Sequence, residues 1–547
     1  MKNFHIKIFS LIIFFAFHAL NFSSADTNKI NFKRIEIKLP STKLIKFLEP
    51  EIFWNNLFGS KDKELILQVR NEFYIYSQIR QQNNFNLISE VTFTNDLLGT
   101  GTVYFSFGRL GNDEEEGVFF FAGNGVFFWR AKEKISTETL SPVQIKNPEL
   151  KLISKTTSQI DDYKFLKLKH SPFSQDMDNN GLSDLILADS RKFYFLIQVE
   201  NGKFIEVEAP PIFNNARSDF YSINEDEIFR EEEIGALKSW IPSQSFNFEI
   251  FNTDQSFYLG DFDRDREKEI LTMETINKGI YDSQDNKRIL KFFKIERIEN
   301  SIKFKEKEDY RIVLPSNERI FFVQDLNGDN LPDIIMKKSV NDFFYPIIPT
   351  MHLNLYYNKK DKNLSINTPD QILKNRDPMS FMFIEDWNKD GRIDFCFPFN
   401  EFSPTSSNDI FKFILGGNAK IMWKFFEGGP SGYPQNPTSE IPVEMSGEVY
   451  FGEYPYPQVV KLYGDFNGDG YSDFALRSEP DKMLVFYYDS ESKEFSKKPD
   501  IQFKVEENYP IEIKDINNDG ISDIYYPYWR KDFWSVILFL SSSASQN

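Results

Sequence analysis

An acidic nonapeptide that occurs six times constrains this chain more than any other feature. One copy, at residues 465–473, reads DFNGDGYSD and leads directly into the apolar residues 474–476. Its oxygen donors follow at every second residue, and they are Asp465, Asn467, Asp469, the carbonyl group of Tyr471, and Asp473. Gly470 allows the sharp turn between them. Hard oxygen ligands in a short loop are typical of a Ca²⁺ site.

The other five copies keep this spacing, and strand-type sequence follows each of them. They read DMDNNGLSD, DFDRDREKE, DLNGDNLPD, DWNKDGRID and DINNDGISD, at residues 176–184, 261–269, 325–333, 386–394 and 515–523. A motif that recurs along most of a chain indicates a repeat protein.

The charge of the chain supports bound cations independently of the motif. The formal net charge at pH 7 is −18, and the acidic ligands of the six loops account for an excess of that size. Carboxylates about 4 Å apart repel one another by roughly 1 kcal/mol in water and about 4 kcal/mol near a protein surface. The sequence therefore predicts up to six calcium ions. It also argues against nucleic acid as a partner, because phosphates require a basic surface.

The spacing of strands around the loops predicts an all-β propeller. After each loop the sequence favours a hairpin and then further strands, so that each unit holds about four strands. Two earlier units, at Asn56 and Arg109, keep the hairpin, but Gly111 and Gly117 replace ligands in the second. Eight units predict eight blades, and seven are the alternative if the unit at Asn56 only closes the ring. We expect residues 30–40 to pair with the last unit, which lacks a fourth strand.

At these loops and strands the chain resembles the FG-GAP and VCBS repeat family, which includes the propellers of integrin α subunits. The resemblance implies calcium held by side chains at loop positions one, three, five and nine and by the carbonyl group at position seven. The implied ligands are Asp176, Asp178, Asn180, Leu182 and Asp184; Asp261, Asp263, Asp265, Glu267 and Glu269; Asp325, Asn327, Asp329, Leu331 and Asp333; Asp386, Asn388, Asp390, Arg392 and Asp394; Asp465, Asn467, Asp469, Tyr471 and Asp473; and Asp515, Asn517, Asp519, Ile521 and Asp523. Arg266 and Asn330 stand where glycine is expected, and Arg266 also adds a positive charge. The loop at Asp261 therefore departs furthest from the family pattern.

Residues 1–25 have the composition of a secretory signal peptide. A basic start precedes an apolar run at residues 8–20, and small residues follow at 23 and 25. No later stretch approaches 18 apolar residues, so we predict no transmembrane anchor, with anchoring by the first segment as the alternative. The predicted domains are the signal peptide and a propeller at residues 26–547. The protein would be secreted, periplasmic or held at the cell surface. Its only cysteine, Cys396, rules out an internal disulfide.

The sequence favours a binding or adhesion scaffold over an enzyme. Only His170 and His352 lie outside the predicted signal peptide, and two isolated imidazoles do not suggest a relay or a metal site. No nucleophile or nucleotide-binding motif is present. We therefore expect a non-catalytic protein that presents loops to a protein or glycan partner. The alternative is a polysaccharide-active enzyme such as a lyase, whose base would be Lys, Arg or Tyr.

The long insertions predict which face binds the partner. Strand alternation places the acidic loops on one face of the ring, and it places the connections between second and third strands, and between blades, on the other. Residues 211–252, 339–350 and 400–417 are such connections. Binding is usually carried by loops on a rigid scaffold. We therefore expect the partner on the face opposite the calcium loops.

Overall fold

A computed structural model describes residues 30–542 of the chain, with gaps. The longer gaps are 40–49, 132–141, 156–165, 208–248, 277–286, 341–349, 401–411 and 451–462, and the others span at most six residues each. The predicted signal peptide and most of the three insertions thus lie outside the described residues. Among the helices that are described, none has the length and apolar character needed to cross a membrane.

The described strands form eight small antiparallel sheets arranged in a ring. This confirms the predicted all-β propeller with eight blades and shows that the seven-blade alternative is wrong. We number the blades 1 to 8 along the chain. The first strand, β1 (Asn31–Lys38), belongs to blade 8.

Blades 1 and 2 are the two units without a complete acidic loop. Blade 1 contains β2 (Glu51–Asn55), β3 (Glu64–Val69), β4 (Glu72–Ile79) and β5 (Asn84–Thr92), and helix α1 (Asn95–Leu98) follows it. Blade 2 contains β6 (Gly101–Arg109), β7 (Glu116–Ala122) and β8 (Gly125–Trp129); then come β9 (Val143–Lys146), which pairs in parallel with β5, and β10 (Lys151–Ser154), which pairs with β8. Strand β11 (Leu166–His170) pairs in parallel with β6.

Blades 3, 4 and 5 each carry one acidic loop. Blade 3 contains β12 (Ser174–Gln175), β13 (Asp184–Ala188), β14 (Phe193–Val199) and β15 (Lys203–Val207). Blade 4 contains β16 (Glu249–Phe251), β17 (Phe257–Gly260), β18 (Glu269–Ile276), β19 (Lys287–Ile298), β20 (Ser301–Phe304) and β21 (Tyr310–Pro315). Blade 5 contains β22 (Arg319–Gln324), β23 (Asp333–Val340), β24 (Thr350–Tyr356) and β26 (Gln371–Arg376), and the intervening β25 (Asn363–Ser365) pairs with β21.

Blades 6, 7 and 8 repeat the same order. Blade 6 contains β27 (Phe383–Glu385), β28 (Asp394–Asn400), β29 (Asn418–Phe426) and β30 (Ser439–Ser446), and helix α2 (Gly447–Tyr450) follows. Blade 7 contains β31 (Tyr463–Gly464), β32 (Asp473–Glu479), β33 (Lys482–Phe486) and β36 (Ile501–Lys504), with a small hairpin of β34 (Tyr488–Asp489) and β35 (Glu494–Phe495). Blade 8 contains β37 (Glu512–Lys514), β38 (Asp523–Arg530) and β39 (Phe533–Ser542).

Strand β1 closes the ring, as the sequence predicted. It pairs antiparallel with β39 over its whole length, from Asn31 opposite Ser542 to Lys38 opposite Ser535. Ile35 and Ile37 are buried in a cluster that joins blade 8 to blade 1. The first strand of the chain is therefore the fourth strand of the last blade.

The hydrophobic core lies between neighbouring blades. In β7, Phe119 and Phe121 pack toward blade 3, whereas Val118 and Phe120 pack toward blade 1. Successive side chains of a strand point to opposite faces of the sheet. Because neighbouring blades cover both faces of a blade, the sequences of its inner strands are continuous apolar runs. Cys396 in β28 is fully buried.

Candidate metal centres

Five of the six acidic loops connect the first and second strands of blades 3 and 5 to 8, and the sixth, in blade 4, where β16 is an additional strand, occupies the equivalent place between β17 and β18. They span the residues between β12 and β13, β17 and β18, β22 and β23, β27 and β28, β31 and β32, and β37 and β38. The units at Asn56 and Arg109 occupy the same place in blades 1 and 2. The predicted unit boundaries therefore match the blades of the structure.

All six loops bend through two residues in the left-handed region. The residues at position six are Gly181, Arg266, Asn330, Gly391, Gly470 and Gly520, with φ from 62 to 89°. The residues at position four are Asn179, Arg264, Gly328, Lys389, Gly468 and Asn518, with φ from 53 to 80°. The sequence predicted the turn at position six. It did not predict the turn at position four, although Asn and Gly at four of these sites were a signal for it.

The backbone of blade 4 is strained at Arg266, so we expect Arg266→Gly to stabilise the protein. Arg266 has φ 74°, a conformation that costs a residue with a side chain about 1–2 kcal/mol. The greater freedom of glycine in the unfolded chain offsets part of this gain, which leaves about 0.5–1 kcal/mol. Urea unfolding measures the difference. Asn330→Gly is the matched control and should change stability less, because asparagine tolerates this region better. A destabilised Arg266→Gly variant would show that the arginine side chain contributes more than its backbone costs.

The carboxylate at position one organises the backbone of each loop. One oxygen of this group accepts a hydrogen bond from the amide of position six, at 2.7–3.0 Å in all six loops; the acceptors are Asp176, Asp261, Asp325, Asp386, Asp465 and Asp515. The side chain at position five likewise accepts the amide of position seven; these acceptors are Asn180, Asp265, Asp329, Asp390, Asp469 and Asp519. These hydrogen bonds join the side chains at positions one and five to the loop backbone in one hydrogen-bonded frame.

The carboxylate at position nine links the loop to its blade. One of its oxygens accepts the amide of position two at 2.7–3.2 Å; the six acceptors are Asp184, Glu269, Asp333, Asp394, Asp473 and Asp523. In the five aspartates the other oxygen accepts an amide at or just beyond the end of the third strand, from Gln198, Asn358, Gly428, Tyr488 and Ser541. Sequence reasoning assigned these residues to metal binding alone and missed this second role.

Burial makes the position-nine carboxyl groups poor anions by themselves. It raises the pKa of Asp184 and Asp523 to about 7, of Asp333 and Asp473 to about 8, and of Glu269 to about 9. It also raises the pKa of Asp394 well above its ordinary value. At neutral pH such a group requires either a proton or a nearby positive charge. A cation in the loop would supply that charge.

The donors in five loops fit a calcium ion. In blade 3, one carboxylate oxygen from each of Asp176, Asp178 and Asp184 lies within 4.8 Å of the other two, and Asp261, Asp263 and Asp265 of blade 4 converge in the same way. Blades 5 to 8 have the same hydrogen-bonded frame, with asparagine at position three in Asn327, Asn388, Asn467 and Asn517. All of these donors are oxygens, as are the carbonyl groups at position seven, and calcium prefers oxygen ligands. The loops of blades 3 and 5 to 8 would each hold one ion.

Blade 4 differs because a lysine reaches its acidic loop. Lys294 in β19 has its Nζ 2.7 Å from Oδ2 of Asp263 and 4.0 Å from Oε1 of Glu269, and Nζ donates a hydrogen bond to Asp265. The sequence indicated a departure at this loop from Arg266. It gave no signal for Lys294, which follows the loop by 25 residues and meets it only through strand pairing.

The incomplete loops of blades 1 and 2 are held by protein groups. In blade 1, the position-nine link is kept, since the Leu57 amide donates to Glu64 at 2.8 Å. In blade 2, the side chain of Gln198 accepts the Gly111 amide and donates to the Arg109 carbonyl group at 2.8 Å. Gln198 is fully buried. The residues that replaced ligands thus have polar partners of their own.

Neighbouring loops contact one another on this face of the ring. The Ser522 amide of blade 8 donates to the Asp465 carbonyl group at 2.6 Å, and the Asp325 amide of blade 5 donates to the Phe262 carbonyl group at 2.8 Å. A cavity of about 590 Å³ opens among the loops of blades 3 to 6, and Arg264, Arg266, Lys268 and Arg392 are among its lining residues. The loop face therefore carries basic as well as acidic groups.

These features define the class of protein: a β-propeller whose blades carry acidic loops between their first and second strands. Residues 465–526, which run from the acidic loop of blade 7 into β38 of blade 8, match the family described as FG-GAP-like repeat. The chain carries an FG-GAP-like repeat, which confirms the resemblance predicted from the loops. A search of curated proteins found no match.

Two solved structures show distant likeness to the whole ring. One is an Agrocybe aegerita lectin described as recognising non-reducing terminal N-acetylglucosamine; it is 13% identical, the alignment covers 89% of this chain and 94% of the lectin, and the TM-score is 0.35. The other is the V. cholerae biofilm matrix protein Bap1, which is 8% identical, with 90% of this chain and 77% of that chain covered and a TM-score of 0.23. At these TM-scores neither likeness bears on the function of this chain.

Proposed function

We propose that this protein is an exported, calcium-binding propeller that binds a protein or glycan partner without catalysis. The observation that carries the calcium part is the convergence of Asp176, Asp178 and Asp184 in blade 3, where three carboxylate oxygens lie within 4.8 Å of one another. Asp184 is fully buried, so water does not screen it. Such a group is stable at neutral pH with a cation, and millimolar extracellular calcium would load sites of about 10⁻⁴–10⁻³ M affinity.

The surroundings of the two histidines support a non-catalytic role. The ring of His170 lies 4.8 Å from that of Phe53 and 5.4 Å from that of Phe105, within the aromatic packing of blades 1 and 2. His352 lies within β24, paired with Lys374 of β26. Both positions are typical of histidines that contribute to packing and strand pairing and not to a reaction.

Strand order supports a partner surface on the face opposite the acidic loops. The insertion at residues 400–417 joins β28 to β29, and that at 339–350 joins β23 to β24. Each acidic loop precedes the second strand of its blade, whereas these insertions follow the second strand. The ends of β23 and β28 from which these insertions leave are therefore at the opposite end of their blades from the acidic loops. Acidic loops that hold ions and hydrogen-bond to each other are suited to stabilising the ring. We therefore assign binding of the partner to the opposite face.

Binding to a glycan array tests the proposal. We expect purified residues 26–547 with calcium to bind a subset of glycans or a protein ligand. Replacing residues 401–416 by an Asn-Gly turn should abolish that binding while calcium content and melting temperature stay nearly unchanged. Asp469→Ala, on the other face, is the matched control and should still bind.

Two outcomes would contradict the proposal. If the shortened variant binds normally and folded variants of the loop face lose binding, the partner surface is on the loop face and not on the opposite face. Release of unsaturated sugars from acidic polysaccharides, followed by ultraviolet absorbance, would show a lyase instead of a binding scaffold.

A further inference from the structure

We propose that in blade 4 the ammonium group of Lys294 takes the place of the metal ion, so that the loop at residues 261–269 has a protein cation instead of calcium. This inference rests on the proposed function, because the other five loops are taken to bind calcium. It lowers the expected number of ions to five, where the sequence predicts up to six.

The position of the ammonium group carries the proposal. The ligands that the family pattern implies at positions three, five and nine are Asp263, Asp265 and Glu269. Lys294 Nζ lies 2.7 Å from a carboxylate oxygen of the first, is hydrogen-bonded to the second, and lies 4.0 Å from the third. A positive charge therefore already stands among these oxygens. A calcium ion held by the same groups would be repelled by it at close range.

Burial strengthens the ion pairs between this ammonium group and the carboxylates around it. The side chains of Asp263 and Glu269 are only 1% exposed, and that of Lys294 is 25% exposed. Ion pairs in such surroundings are screened less by water and salt than surface pairs are.

Blade 4 differs from the other five loops in the residue that faces position nine. Lys294 is paired directly with Glu269 across β18 and β19. Extending the strand pairing by one residue pair places Ile197, Tyr357, Glu427, Tyr487 and Leu540 at this point in blades 3, 5, 6, 7 and 8. None of these five residues is basic. The structure thus contains five internal comparisons in which the same loop frame has no lysine at this point.

Glutamate at position nine suits a lysine partner. In the other loops, both oxygens of the aspartate accept backbone amides. In blade 4, Oε2 of Glu269 accepts the Phe262 amide at 2.9 Å, whereas Oε1 has no hydrogen-bond partner and lies on the Lys294 side. The longer side chain keeps the link to the loop and leaves its second oxygen toward the ammonium group. Arg266, in place of glycine, adds a further positive charge beside the same loop.

Counting bound calcium in matched variants tests the assignment. Asp265→Ala and Asp469→Ala remove the same position-five ligand, in blade 4 and blade 7. After equilibrium dialysis and elemental analysis, we expect Asp469→Ala to hold one calcium ion fewer than the parent protein and Asp265→Ala to hold the same number. Loss of one ion in Asp265→Ala would overturn the proposal. If neither the parent nor the variants bind calcium, the proposed function fails, and the next measurement still decides the role of Lys294.

The second measurement needs no calcium. In excess chelator, Lys294→Met should lower the melting temperature by about 3–5 °C, because it leaves buried carboxylates without their counter-charge. Lys303→Met, an exposed lysine in β20 of the same blade, is the control and should have little effect. Equal melting of Lys294→Met and the parent protein in chelator would overturn the proposal. If Lys294→Met does not fold, Lys294→Arg keeps the charge and should fold and retain the calcium count of the parent.

Discussion

Removal of β1 is expected to destabilise the propeller more than any single substitution. A mature chain that begins after residue 39 would lose all eight residue pairs with β39 and the buried side chains of Ile35, Ile37 and Leu39. Burial of such a side chain contributes about 1.5–3 kcal/mol, so the loss would exceed about 5 kcal/mol before the open edge of β39 is considered. We expect a strongly lowered melting temperature and rapid proteolysis of blade 8.

Two single substitutions compare a buried position of β1 with an exposed one. Ile37→Asp places an unpaired carboxylate against the buried side chains that join blade 8 to blade 1, and it should approach the effect of the deletion. Lys33→Ala changes an exposed residue of the same strand and should melt close to the parent protein. If the shortened chain melts like the parent, β1 does not close the ring in solution.

Calcium removal is the second large effect that we expect. An ion that binds only the folded protein stabilises it by RT ln(1 + [L]/Kd), about 2.7 kcal/mol per site at a hundredfold excess over Kd. Five sites in five blades should therefore raise the melting temperature markedly in calcium compared with chelator. Scanning calorimetry measures this, and magnesium at the same concentration is the control, because its strict octahedral geometry suits these loops less well. An unchanged melting temperature would contradict the calcium proposal.

The sequence was sufficient for most of the fold because its signals are periodic. Acidic loops such as Asp465–Asp473 recur before apolar strands, so the unit count and the role of β1 followed directly, whereas the sequence left seven blades as an alternative to eight. The apolar run in β7 was harder to interpret than an alternating strand. Its side chains alternate between two neighbouring blades that are both apolar, and only the ring explains why both faces are buried.

The candidate sites were predictable only within each loop. The residue spacing showed which oxygens could converge, and Arg266 marked blade 4 as different. What the sequence could not show is what the third strand brings to the loop. Lys294 and the amides that bind Asp184 and Asp473 reach these loops through strand register, and register depends on the whole sheet. Groups far apart in the chain therefore determine which charges and hydrogen-bond donors surround each loop.

The pairing of β1 with β39 also governs when the protein can finish folding. Glu36 and Ser535 hydrogen-bond although they are 499 positions apart. Strand β1 is therefore synthesised long before β39, the strand with which it pairs. Bringing such distant segments together carries a chain-entropy cost that local contacts do not repay in advance. Until then, blade 8 has an unpaired strand edge of the kind that other chains can join. A growing chain would thus remain incompletely folded until β39 is free to pair, and blade 8 would depend on protection from aggregation until then.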